Sequence, residues 1–155
     1  MEIERKFLLA KPLFDLEGYR KIDISQAYVS QSPVIRVRRA DGDYFLTVKG
    51  RGRIAKEEFE LPISRSQFDR LLKKTENNII RKTRYLIPID GGLTAEMDEY
   101  HSPDYLSGLF TVEVEFATLA KAKEFVPPEW FGRDVSGDRA YSNAALSAKK
   151  PESNG

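Results

Sequence analysis

An antiparallel β-barrel, or a curled sheet with helices packed outside it, is the fold the sequence predicts. Three observations lead there. Short segments of alternating polar and apolar residues recur along the chain. Tight-turn signals punctuate them at Asp41-Gly42, Gly50-Arg51-Gly52 and Asp90-Gly91-Gly92. Helical periodicity is confined to a few short stretches.

The first strand is expected over 1–9, MEIERKFLL, with Glu2, Glu4 and Lys6 on one face and Ile3, Arg5 and Phe7 on the other. Strands follow at 24–31, 34–40 and 43–50, the last two joined by Asp41-Gly42 as a hairpin. A fifth is expected over 55–62. SRSQFDRLLKKTEN then reads as a helix: Ser64 caps it, Gln67 stands three residues on, and Phe68, Leu71 and Leu72 form its apolar stripe. Three more strands, 80–88, 94–101 and 110–117, make eight in all. A short helix near 119–125 ends before Pro127-Pro128, and a terminal helix is expected from Asp138 to Lys149. The closing KKPESNG reads as a frayed tail. One domain over 1–150 with a tail at 151–155 is the expected organisation.

Composition narrows the chemistry. Cysteine is absent, which excludes disulfides and thiolate metal sites, and His101 is the sole histidine, which excludes zinc sites built on several imidazoles. Any metal must be held by oxygen, pointing to Mg²⁺ or Mn²⁺, or to Ca²⁺. A net charge of +1 implies no bulk attraction to nucleic acid or membrane, although 32% of the residues are charged. With no long apolar run, and a strand expected from residue 1, neither a membrane span nor a targeting segment is expected. A cytoplasmic location follows as the expectation.

The placement of the charges says more than their sum. On alternate positions the strands carry Glu2, Glu4 and Lys6; Arg36 and Arg38; Lys49; Lys56, Glu58 and Glu60; Lys82 and Arg84; Glu96 and Asp98; Glu113 and Glu115. The opposite faces are largely apolar. An ordinary sheet with its charged side in water would give the same alternation. The clustering of like signs argues otherwise. Same-face neighbours lie about 7 Å apart, where two like charges repel by about 2 kcal/mol at an effective dielectric near 20. Paired carboxylates gain by sharing a cation, and paired Arg or Lys by sharing a polyanion.

This ordered set resembles the CYTH superfamily, the triphosphate tunnel metalloenzymes. The N-terminal E-x-E-x-K signature is Glu2-Ile3-Glu4-Arg5-Lys6. Later motifs resemble Arg36 and Arg38 (R-x-R), Lys49 in TVKG, Glu58 and Glu60 (E-x-E), and Lys82 and Arg84 (K-x-R). An acidic strand ending in Asp98, the Glu113/Glu115 pair and RAYSN at 139–143 complete the match, which spans essentially the whole chain and is closest to the short bacterial type. The resemblance implies a mainly β, α+β fold: an eight-stranded antiparallel tunnel with a charged hydrophilic lumen and external helices. It also implies metal-dependent hydrolysis of a triphosphate, foremost inorganic tripolyphosphate to pyrophosphate and phosphate. Lys6, Arg36, Arg38, Lys49, Lys82 and Arg84 would bind the phosphates. Glu2, Glu4, Glu58, Glu60, Asp98, Glu113 and Glu115 would hold one or two Mg²⁺ or Mn²⁺ ions, and Glu4 or Glu60 would orient or deprotonate the water. No Cys or His nucleophile is needed for such chemistry.

The other readings are an adenylate cyclase of the same fold, a thiamine or nucleoside triphosphatase, and a non-catalytic polyphosphate-binding module. The expected partner is a small triphosphate rather than nucleic acid or membrane, with the chain a monomer or homodimer. Trp130 is expected to pack on the helical side, Tyr28 and Tyr141 to pack or line a tunnel end, and His101 to sit in an exposed turn. Arg51 and Arg53 read as a solvated hairpin tip or a basic lip.

Overall fold

Alternating side chains and two-residue turns do produce a curled antiparallel sheet. The computed structural model describes residues 1–151 and carries strands β1 (Glu2–Leu9), β2 (Arg20–Gln31), β3 (Val34–Ala40), β4 (Asp43–Lys49), β5 (Ala55–Lys56) and β6 (Glu58–Pro62). Helix α1 (Arg65–Leu72) precedes β7 (Glu76–Ile89), β8 (Leu93–Ser102) and β9 (Phe110–Glu115), and α2 (Leu119–Glu124) and α3 (Asn143–Ala148) follow. The tail expected at 151–155 lies, apart from Pro151, outside the described residues.

Hydrogen-bonded order around the sheet is β5-β1-β9-β8-β7-β2-β3-β4-β6, all antiparallel. Its two ends are neighbours in sequence, so the chain itself closes the barrel. The single strand expected over 55–62 is two strands, because it changes partner at Glu57. Ala55 and Lys56 pair with Ile3 and Glu2 of β1, whereas Glu58–Pro62 pair with β4. Between them the Glu57 carbonyl accepts from Gly50 N at 2.7 Å. Nine strands therefore build what is nearly an eight-strand barrel, with the seam fastened over two residue pairs.

Local signals account for the well-placed elements. Asp41, at φ 51°, turns the β3–β4 hairpin, and its carboxylate accepts from Asp23 N on β2. Ser64 and Gln67 form a reciprocal capping box at α1. The expected terminal helix begins later: Asp138 caps a 3₁₀ turn over Arg139–Tyr141, and Ser142 then caps α3.

The apolar outer faces of β1, β7, β8 and β9 form the main core, including Phe7, Ile87, Met97, Val112 and Val114. Much of its cover is irregular chain rather than helix, supplied by Phe14, Leu16, Tyr19, Phe125, Trp130 and Phe131. Trp130 stacks edge-on against Phe14 and Phe131, the packing role expected of it. Arg5, on the same outer face, donates to the Ala122 and Phe125 carbonyls and pairs with Asp134 at 2.7 Å, tying α2 to β1. Over β6 the described residues give less cover: Phe59 and Leu61 are 60% and 44% exposed.

A second apolar cluster of Ile80, Tyr100, Leu106 and Leu146 seats α3 against β2 and β7. Side chains of the barrel and of its β8–β9 connection hold the backbone of α3. Gln31 donates to Ala144 O, Asn78 to Ser147 O and Tyr105 to Leu146 O. No helix among the described residues is long and apolar enough to cross a membrane.

Candidate active site

Period-two alternation sends the charged set of each strand inward. Register fixes which groups meet. Glu4 stands opposite Glu115 and Lys6 opposite Glu113 across β1–β9; Glu96 stands opposite Glu113 across β8–β9; Arg84 faces Asp98 across β7–β8. On the far side Arg36 faces Thr47, Thr47 faces Glu60 and Lys49 faces Glu58.

Glu2, Glu4 and Glu115 each offer a carboxylate oxygen, and these lie within 4.8 Å of one another. Crowding shows in their protonation. Burial, then Glu113 and Glu2, pushes the Glu4 carboxyl up to about 9. Its neighbour Glu113 stays ionised well below the usual carboxylate range, because Lys6, Arg84 and a hydrogen bond from Glu4 outweigh burial. The two behave as a dyad with one proton. Burial and Glu2 also raise Glu58, and burial, Glu2 and Glu113 raise Glu115. An all-oxygen set short of positive charge fits a hard divalent cation.

The remaining predicted acids are engaged elsewhere. Asp98, fully buried, accepts a fork from Arg84 at 2.8 and 3.0 Å and an ion pair from Lys82 at 2.7 Å. Those two cations hold its carboxyl below the ordinary value against the effect of burial. Glu60 lies 3.3 Å from Arg38 Nη2 and accepts from Thr47 Oγ1. The structure brings Glu2, Glu4 and Glu115 together, with Glu113 and Glu58 beside them. Asp98 and Glu60 are held by basic residues instead.

The bases divide in the same way. Arg84 is paired with Asp98 and, at 2.7 Å, with Glu96. Lys82 is buried behind Asp98 with its ammonium 5.3 Å from the Tyr100 ring centroid, and burial brings it down to about 8. Lys6 donates to the Tyr141 carbonyl at 2.6 Å and lies 3.6 Å from Glu113. Lys49 lies 3.1 Å from Glu2 and 4.0 Å from Glu58; burial opposes its charge, yet Glu2, Glu4 and Glu113 raise it. Arg36 and Arg38 differ. Each keeps a buried Nε with no partner among the described residues, and burial plus repulsion from Arg36 and Arg84 lowers Arg38 to about 10. Their Nη2 groups are used, by Thr47 Oγ1 for Arg36 and by Glu60 for Arg38, so the Nε donors are what remain for an anion.

Several lumen residues escape a search for charge. Gln26, Tyr28, Thr47, Tyr100 and Thr111 all share the inward register. Position alone marked them, since each lies on the alternate set of a strand whose partner carries charges. His101 lies within β8 rather than in a turn, exposed, its ring 2.8 Å from Thr83 Oγ1. Arg51 and Arg53 are exposed, and Arg53 lies against Gly137.

With this geometry in view, the comparisons with known proteins agree with one another. The CYTH domain family model matches residues 1–134. An inorganic triphosphatase of Nitrosomonas europaea is 37% identical over 153 residues, covering 97% of this chain and 99% of that one. An inorganic triphosphatase of Acetivibrio thermocellus is 32% identical over 163 residues, covering 99% and 96%. Among solved structures, the inorganic triphosphatase NE1496 superposes with a TM-score of 0.70 at 35% identity, over 98% of this chain and 97% of that one. The PH1819 protein of Pyrococcus horikoshii, at 21% identity and a TM-score of 0.56 over 80% and 83%, bears on the fold alone.

Proposed function

The chain belongs to the CYTH domain family, and from that premise and the lumen geometry we infer that it is a metal-dependent inorganic triphosphatase. One observation carries the reading. A cluster of three carboxylates, Glu2, Glu4 and Glu115, shares a lumen with two arginines whose buried Nε donors have no partner among the described residues. Relatives of nearly full length are named for the same activity.

Glu2, Glu4 and Glu115 would hold the divalent cation, with Glu58 and Glu113 beside them; Mg²⁺ or Mn²⁺ suits such hard ligands. When bound, the cation offsets the negative charge of the reacting phosphates. The chain's own groups do the rest. Arg36 and Arg38 grip nonbridging oxygens through their planar forks, and Lys6, Lys49, Lys82 and Arg84 supply positive field around them. Asp98 orients Arg84 and Lys82 rather than binding metal. Glu60, braced by Arg38 and Thr47, would orient the attacking water, leaving Glu4 to the acidic cluster. Transfer of the terminal phosphoryl group to water yields pyrophosphate and phosphate, with positioning and charge stabilisation as the main contributions.

Binding through phosphates favours inorganic tripolyphosphate over nucleotides, since no lumen residue is needed for a base. A cytoplasmic location belongs to the same reading. The test is phosphate release from tripolyphosphate with Mg²⁺, Mn²⁺ or EDTA. Release that needs a divalent cation supports the reading, and metal-independent turnover contradicts it.

A further inference from the structure

Gln26 is fully buried, and among the described residues neither its amide nitrogen nor its carbonyl oxygen has a hydrogen-bond partner. It faces the lumen, opposite Arg38 on β3 and Ile80 on β7, in the same alternate set as Ile24 and Tyr28. Directly opposed residues on antiparallel strands have Cβ atoms about 5 Å apart. The carboxamide and the Arg38 guanidinium therefore share one stretch of lumen. Arg38 Nε, and Arg36 Nε opposite Tyr28, are buried donors without partners as well.

Between Ile24 and Ile80 a methionine of similar volume would fill the same space without burying an unpaired amide. The polar group is thus a liability in the empty barrel. It becomes an asset only if something polar arrives. The Gln26 amide and the two Nε donors, on neighbouring strands β2 and β3, mark where that partner lies. A neutral donor also suits the place electrostatically. Arg36 and Arg84 already repel Arg38 there, and a further lysine or arginine would add to the repulsion.

We propose that Gln26 is a substrate-binding residue, its carboxamide N–H donating to a nonbridging oxygen of the triphosphate beside Arg38. This rests on the reading of the lumen as a triphosphate site. The test uses the full chain with Gln26→Met and Gln26→Glu. Three quantities are measured: melting temperature without ligand, KM and kcat on tripolyphosphate, and metal-free tripolyphosphate affinity by calorimetry. Gln26→Met is expected to melt no lower than the parent, to raise KM about tenfold and to change kcat far less. Gln26→Glu should raise KM further, because a carboxylate then faces phosphate oxygens. An unchanged KM and affinity in Gln26→Met would overturn the proposal. So would a lower melting temperature with unchanged KM, the signature of an amide completed by buried water. If the parent protein binds tripolyphosphate without hydrolysing it, the hydrolase reading falls and the affinity comparison still decides Gln26. Absence of binding by the parent overturns both.

Discussion

Glu4 carries a proton that a cation would have to displace, since burial and two neighbouring carboxylates hold its carboxyl near 9. Gln at this position keeps the shape and removes the charge. Glu4→Gln should therefore leave the melting temperature of the metal-free protein unchanged or raised, while turnover falls about 100-fold or more. Thermal melts beside phosphate-release rates check this; a Glu4→Gln variant with full turnover would remove Glu4 from the site. Arg38 tests the other half of the lumen. Arg38→Ala should raise KM on tripolyphosphate, and Arg38→Lys should recover only part of the loss, because a point charge cannot replace the fork. At this scale the sequence was legible wherever charge met period two. Every predicted base and acid lies on the inward register. Gln26 and Thr47 were not legible, because a neutral residue on an alternate position reads the same in a core as in a lumen. The separate employment of Asp98 and Glu60 was hidden too, since it depends on which cross-strand partner stands opposite.

Elements whose cause is local were legible, and those with a distant cause were not. Asp41-Gly42 and the Ser64/Gln67 box specify their turn and helix start within four residues. The break at Glu57 depends on β1, more than fifty residues away in sequence, offering an edge to Ala55 and Lys56. Barrel closure of this kind leaves no local mark. The late start of α3 likewise reflects two successive caps where a periodic pattern suggested one helix. Its docking rests on Leu146, fully buried against Ile80, Tyr100 and Leu106. Leu146→Ala should cost about 2–4 kcal/mol of stability, read by denaturant unfolding. A cost below about 0.5 kcal/mol would mean that α3 is not part of the cooperative fold.

Across the whole molecule, inward charge makes stability depend on pH and on ligand. Glu4 has its folded pKa raised from 4.5 to about 9, so the stability it contributes is present below about 4.5 and is lost as pH rises through 9. Glu58, Glu96 and Glu115 are raised and act in the same direction. Asp98 and Glu113 are lowered, and their contribution is lost only as pH falls through the acid range. Lys82, lowered to about 8 from 10.5, favours the folded state only above pH 8. The metal-free protein should thus lose stability between pH 5 and 8, and the melting temperature gained on adding Mg²⁺ should grow over the same interval. A gain independent of pH would separate the acidic cluster from metal binding.

Residue, element and barrel meet in one reaction: hydrolysis of a linear triphosphate in the lumen with the help of a divalent cation. The most direct measurement follows products from tripolyphosphate and from ATP side by side, with Mg²⁺ and with EDTA. The account predicts one phosphate and one pyrophosphate per tripolyphosphate, a higher kcat/KM than for ATP, and no turnover in EDTA. Cyclic AMP as the main product from ATP, or tight tripolyphosphate binding with no phosphate released under any metal, would contradict it.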